Sequence, residues 1–367
     1  MKKMKKLFMI PAVLMITGTA CAQDPSFSQF FSSPLNVNPA LTADINGKWR
    51  VISNYRNQWI GPGDPYTTGT ISMDSKIFQN LPGNYVDEIT RVGIGGMMMY
   101  DQSLAGGLKS TYASFNFSGS VRLASGGKRE YNGLRVNHLS KIRMDASAPE
   151  QRLGLGLAII YGQRRIDVTK LTFEEQFAGN GFDTNLPTGE TALSNMKPYI
   201  STSAGLVYNY KSSTTNIDIG VAAFHLNKPK QTFYNDDHQF LAKRYVAHAN
   251  METFLSDQVI LNTNGIYQYQ GGASYFSIGG ALGYYLPSSS DEGDNKLINA
   301  GLWYWSNNAI IPYIGFSYGK FQVGASYDIT ISKLKESPKR MQTFEISLII
   351  RGGSNEGDKS VIPAPWK

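Results

Sequence analysis

Gly315-Phe316-Ser317-Tyr318-Gly319 has the G-x-S-x-G spacing of a serine nucleophile. That chemistry needs a strand, a sharp turn and a helix, with the serine exposed in the turn. Here the five residues continue an apolar–polar alternation and Lys320-Phe321 opens another, so Ser317 reads as a strand residue. Glycines 93, 95 and 96 stand before Met97-Met98-Met99 rather than before a helix whose N-terminus would cradle a phosphate. Gly154 and Gly156 also continue a strand pattern, and both groups read as small residues of a β wall. His138, His225, His238 and His248 lack metal-ligand spacing. The cluster Asp236-Asp237-His238 and the pair Glu174-Glu175 read as solvated loop. No catalytic, cofactor-binding or metal site is expected, and no enzyme.

The chain around these residues has the composition of a sheet. Its 367 residues include 37 glycines, 21 tyrosines and 18 phenylalanines. Glycine weakens helix interiors, while aromatic side chains suit a pleated surface. The mean hydropathy of −0.26 looks water-soluble, but a membrane barrel reads the same way because only alternate side chains face lipid. Residues 1–22 form a secretory signal: Lys2, Lys3, Lys5 and Lys6, an apolar run from Leu7 to Ala20, and the cleavage site Ala20-Cys21-Ala22. The rival is a lipoprotein signal acylated at Cys21, where Gly18 replaces the leucine-like residue such a signal wants. Removing four lysines lowers the net charge from +7 to +3, a weak basis for binding nucleic acid. Beyond the signal no apolar run approaches the length of a membrane helix, about 20 residues.

Alternation of period two covers most of the remaining chain. Trp49, Val51, Ser53 and Tyr55 alternate with Arg50, Ile52, Asn54 and Arg56, and Leu153, Leu155, Leu157 and Ile159 with Gly154, Gly156, Ala158 and Ile160. The pattern predicts strands over 48–57, 66–76, 90–100, 110–122, 151–163, 198–211, 216–226, 244–255, 258–270, 273–286, 295–306, 310–318, 321–331 and 341–351. The expected fold is all-β: a transmembrane antiparallel barrel of about fourteen strands over 48–351. Tyr131 to Val136 could add a hairpin arm, and Gly271-Gly272 would be a tight outer connection. An even strand number places both chain ends on one side, the periplasm, with a tail over 352–367. Loops 58–65, 101–109, 164–197, 227–243 and 332–340 then face outward. Trp49, Trp59, Tyr100, Tyr199, Tyr245, Tyr284, Tyr285, Trp303 and Trp305 could form interfacial girdles; the alternative is packing within the barrel wall.

At the mature N-terminus, Gln23-Asp24-Pro25-Ser26-Phe27-Ser28-Gln29-Phe30 and Ser33-Pro34-Leu35-Asn36-Val37-Asn38-Pro39-Ala40-Leu41 form a specific block. With Tyr55-Arg56-Asn57-Gln58-Trp59, Val92-Gly93-Ile94-Gly95-Gly96, His225-Leu226-Asn227-Lys228-Pro229 and Phe344-Glu345-Ile346-Ser347-Leu348, the chain resembles the PorP/SprF family of type IX secretion membrane proteins. The 123–150 connection looks longer than the family usually has. The resemblance implies a Bacteroidetes outer-membrane protein of the secretion and gliding apparatus. Implied partners are the C-terminal domain of a secreted adhesin, other type IX components including periplasmic lipoproteins, and outer-membrane lipid.

Residues 23–47 carry three prolines and cannot form a lipid-facing strand, because unpaired backbone groups are costly in hydrocarbon. This segment is expected to fold into the periplasmic mouth or the lumen as a plug, with Phe27, Phe30, Phe31, Asn36, Asn38 and Pro39 as its anchors. A disordered leader is the plain alternative. Phe173, Phe177, Phe182, Phe233 and Tyr234 in the long outer loops are candidate partner contacts, since long loops carry function disproportionately. Three functions stay open: export or surface attachment of an adhesin, a scaffold docked to the periplasmic lipoprotein ring through 77–89, 123–150 and the tail, and a passive or hydrophobic-solute channel.

Overall fold

Apolar–polar alternation builds a sheet with one greasy and one polar face, and burying the polar face requires the sheet to curl until its edges meet. The computed structural model describes residues 24–60, 65–77, 90–103, 107–124, 149–189, 197–212, 214–231, 239–286, 296–332 and 342–353. Fourteen antiparallel strands follow in chain order: β1 (Trp49–Ile60), β2 (Tyr66–Ile77), β3 (Thr90–Ser103), β4 (Leu108–Ala124), β5 (Glu150–Ile166), β6 (Tyr199–Lys211), β7 (Thr215–Phe224), β8 (Arg244–Phe254), β9 (Val259–Gln270), β10 (Ala273–Leu286), β11 (Lys296–Trp305), β12 (Ala309–Tyr318), β13 (Phe321–Thr330) and β14 (Gln342–Gly352). Each pairs with its neighbours in sequence, and β1 joins β14 from Trp49↔Gly352 to Gln58↔Thr343. The barrel is therefore closed and leaves no edge with unpaired backbone.

The alternation decides which face meets lipid. Leu153, Leu155, Leu157 and Ile159 are exposed on the outside, whereas Arg152, Gly154, Gly156 and Ala158 turn inward. In β1, Arg50, Ile52, Asn54 and Arg56 are buried inside. Strands β4 and β5 each run 17 residues, beyond the 110–122 and 151–163 expected. Their extensions, such as Lys109, Arg164 and Arg165, include polar residues, so the ladder continues where the hydrophobic pattern stops. Gly271 (φ 59°) and Gly272 (φ 85°) both adopt left-handed backbone, which lets two residues turn β9 into β10.

Of the possible girdle residues, Tyr100, Tyr245 and Tyr284 are exposed on the outer wall. Tyr199, Trp303 and Trp305 instead point inward and are buried. The run Leu302-Trp303-Tyr304-Trp305 is apolar on both faces, so alternation alone gave no parity there. Leu302 and Tyr304 take the outside.

The interior is filled by residues 24–48, which contain only short turns (Phe30–Ser32, Pro34–Val37, Pro39–Leu41). This segment bonds to side chains of β1, β2, β4, β8, β13 and β14, a spread that only an enclosed segment can reach. It crosses the barrel from end to end. Ala43 meets Asp74 near the rim where β1 begins, Asn38 meets Leu206 at mid-height, and Asp24 meets His225, Arg244 and Gln270 at the far rim. The expectation that both chain ends share one side needs correction on this point. It holds for the start of β1 and the end of β14, but the preceding segment adds a further traverse, so Asp24 lies at the opposite rim. The expected signal, the tail beyond 353 and the 131–136 arm lie outside the described residues.

Candidate functional site

Three layers hold the inserted segment. Nearest the rim where β1 begins, Arg50 and Asp74 face inward from adjacent strands and pair at 2.7 Å, with a second bond from Arg50 Nε to Oδ1 at 3.0 Å. Asp74 Oδ2 also accepts the Ala43 N–H at 2.7 Å. On the far side of the segment, Ser118 Oγ donates to the Thr42 carbonyl at 2.6 Å, and Asn209 Nδ2 donates to Asp44 at 3.0 Å.

At mid-height Asn38 is fully buried. Its Nδ2 lies within bonding distance of the Leu206 carbonyl (3.0 Å), the Val221 carbonyl (3.3 Å) and His248 Nε2 (3.0 Å), while its Oδ1 accepts the Ala40 N–H at 2.8 Å and caps the next turn. Opposite, Glu345 takes two consecutive amides, Ser28 N–H on Oε1 at 2.6 Å and Gln29 N–H on Oε2 at 2.8 Å. Arg56 sits between Glu345 (3.2 Å) and Asp328 (3.4 Å), donates to the Ser26 carbonyl and lies over the Trp305 ring. Buried charges of this kind persist only when paired and hydrogen-bonded. The apolar part of the segment finds matching wall: Phe31 packs 4.8 Å from Trp303 and 5.5 Å from Tyr313, centroid to centroid. Phe27 and Leu35 join Met97, Met99, Tyr112, Tyr199 and Leu241 in a second cluster.

At the far rim Asp24 lies 2.7 Å from His225 Nε2 and 3.2 Å from Arg244 Nε. Burial pushes the Asp24 carboxyl upward, but the Arg244 and His225 charges outweigh it and hold the group well below the usual carboxylate range. Ser201 Oγ lies 2.8 Å from His225 Nδ1, so Ser201, His225 and Asp24 have the composition of a hydrolytic triad. Ser201 is completely buried, and the ring nitrogens are used the opposite way round from a serine hydrolase, with Nδ1 on serine and Nε2 on the carboxylate. The array orients the imidazole as a clasp on the end of the segment.

Of the residues singled out from sequence, Phe27, Phe30, Phe31, Asn38 and Pro39 are buried within the lumen and Asn36 is half-buried, with its carbonyl accepting from Arg244 at 3.1 Å. Phe177 and Phe182 project together at the far rim as an antiparallel bridge, both exposed, with rings 5.3 Å apart. Phe173 is half-buried, and its N–H donates to Gln176 Oε1 (3.1 Å). Buried Gln176 in turn donates to the Leu186 carbonyl (3.0 Å), which ties Phe173 to Leu186. Phe233 and Tyr234 lie outside the described residues. Ser317 lies within β12, and Gly319-Lys320 turns directly into β13, with no helix between them. The charged anchors Arg50, Arg56, Asp74, Asp328 and Glu345 were missed. Their signal was charge at the inward parity of otherwise lipid-spanning strands.

The sequence pattern of the type IX secretion system membrane proteins PorP/SprF matches residues 20–350. The chain belongs to this family. As a PorP/SprF protein it is an integral outer-membrane barrel of the type IX secretion system, and the match includes the whole inserted segment. No curated protein matches it. Among solved structures, the toluene transporter TbuX of Ralstonia pickettii is 10% identical over 86% of this chain and 92% of its own, with a TM-score of 0.43. The monoaromatic hydrocarbon channel CymD is 10% identical over 88% and 94%, at 0.45. CdiB from Acinetobacter baumannii is 8% identical over 82% and 60%, at 0.39. Likenesses this distant carry neither substrate nor partner over to the PorP/SprF protein.

Proposed function

We propose that this PorP/SprF protein is a closed docking barrel, which supports export of a secreted adhesin and holds its C-terminal domain at the cell surface. The observation that carries the reading is the filled lumen. A barrel whose interior is bonded from rim to rim by residues 24–48 has an occupied lumen, which favours a surface-binding role over a channel. With the start of β1 and the end of β14 in the periplasm, the rim that carries Asp24, Phe177 and Phe182 faces outward. There Phe177 and Phe182 give an exposed aromatic pair of the kind that anchors protein interfaces.

Replacing both rings (Phe177→Ala with Phe182→Ala) in the full chain tests this. Co-purification of the adhesin C-terminal domain from cells is expected to fall by roughly tenfold or more while the barrel still assembles. Unchanged retention of cargo, with crosslinks only to periplasmic lipoproteins, contradicts attachment and supports the scaffold role.

A further inference from the structure

At the rim where β1 begins, a crevice lies between the inserted segment and the wall formed by β2 to β7. Lys76, Arg91, Arg152 and Lys211 line it from four different strands, together with two acids, Asp44 and Glu150. Three guanidinium groups converge on one oxygen there. Arg91 Nη2 lies 3.2 Å and Arg122 Nη2 3.6 Å from Glu150 Oε1, and Arg152 Nε is in still shorter contact with it. Arg122 Nε is buried without a hydrogen-bond partner among the described residues. Lys76, Arg91, Arg122, Arg152 and Lys211 all stand at the inward parity of their strands, so the cluster belongs to the lumen mouth and not to the lipid face.

We propose that this crevice binds a phosphate-type oxyanion, for which the Glu150 carboxylate is an internal stand-in. Among the described residues three guanidinium groups share one Glu150 oxygen, while Asp44 accepts from Asn209. An oxyanion with three or four acceptor oxygens suits this convergence of guanidinium groups better than a single carboxylate oxygen. Arginine forks match the spacing of phosphate oxygens, and the strands fix them in place before the ligand arrives. The segment closes the inner side of the crevice through Ala43 and Asp44, so the site exists only when residues 24–48 are seated. The phosphate can be free or can belong to a lipid headgroup at the rim.

The full chain in phosphatidylcholine nanodiscs, titrated with inorganic phosphate and with chloride at equal ionic strength, tests the site by calorimetry. Native mass spectrometry of discs doped with phosphatidic acid tests the lipid source. Phosphate binding above the chloride blank identifies a free oxyanion, and retained phosphatidic acid identifies a headgroup. In either case Arg91→Gln with Lys211→Gln should weaken binding by about tenfold. Glu150→Gln, which removes the internal competitor, should strengthen it several-fold. If the double variant does not assemble, Glu150→Gln alone carries the test. Neither ligand bound, or affinity that Glu150→Gln leaves unchanged, overturns the proposal.

Discussion

Gly205 and Asn38 share one space: a Cβ on Gly205 would overlap Oδ1 of Asn38, the atom that caps the turn at Pro39–Leu41. One strand away, a Cβ on Gly156 would overlap the backbone N of Ala40. These inward glycines are the recess that receives the inserted chain. Their role is close approach of two backbones, which no larger residue permits.

Gly205→Val should therefore unseat the segment and leave the outer wall intact, because Leu206 and Ala204 keep their places in the ladder. The expected result is a barrel that still shows heat-modifiable migration, while residues 24–48 become accessible to protease. Overpacking of this kind costs about 1–3 kcal/mol. A variant as resistant as the parent would show that the recess is not needed.

The Arg50–Asp74 pair supplies a second expectation. Asp74→Asn leaves Arg50 buried without its counter-charge and removes the carboxylate that receives the Ala43 amide. The loss should be about 3–5 kcal/mol in denaturant unfolding from micelles. Arg50→Met with Asp74→Leu should recover a large part of it, since the desolvation cost disappears with the charges.

Phe31→Ala should cost about 3–5 kcal/mol, because its ring packs against Trp303 and Tyr313 with no lipid to refill the void. Ile314→Ala, one residue past Tyr313 but on the exposed outer face, should cost clearly less. Equal losses would mean that the interior is not a packed core.

The clasp at Asp24 sets a pH dependence. Its folded carboxyl lies below the ordinary value of 3.8, so its stabilisation is present above that value and is lost only as pH falls through the lower folded one. Pepsin should find residues 24–31 protected at about pH 4 and increasingly open as pH is lowered below about 2. Asp24→Asn should open them at both. Protection that neither acid nor the substitution changes would exclude the clasp.

Most of the barrel was legible because lipid enforces a period of two, and segments such as Leu153 to Ile159 carry it without interruption. All fourteen strands fall where alternation put them. What alternation could not give was the inside. Trp303 and Trp305 look like interfacial aromatics until the segment that covers them is known. Asp328 and Glu345 lie 300 and 317 residues from Ser28, and Arg56 lies 272 from Asp328, distances that no local pattern spans. Phe27, Phe30, Phe31 and Asn38 are buried in the lumen; the prolines of the segment argued against a strand, but the sequence alone left a disordered leader open. The direction of the segment, from far rim to near rim, follows only from its contacts.

Hydrogen exchange of the intact chain in nanodiscs, read by mass spectrometry over residues 27–44, tests most directly whether this segment is the core of the barrel. The amides of Ser28, Gln29, Ala40 and Ala43 each donate to a side-chain oxygen inside the lumen, so peptides covering them should exchange as slowly as those of β1 and β14. Complete exchange within seconds, at the rate of an exposed loop, would contradict the account.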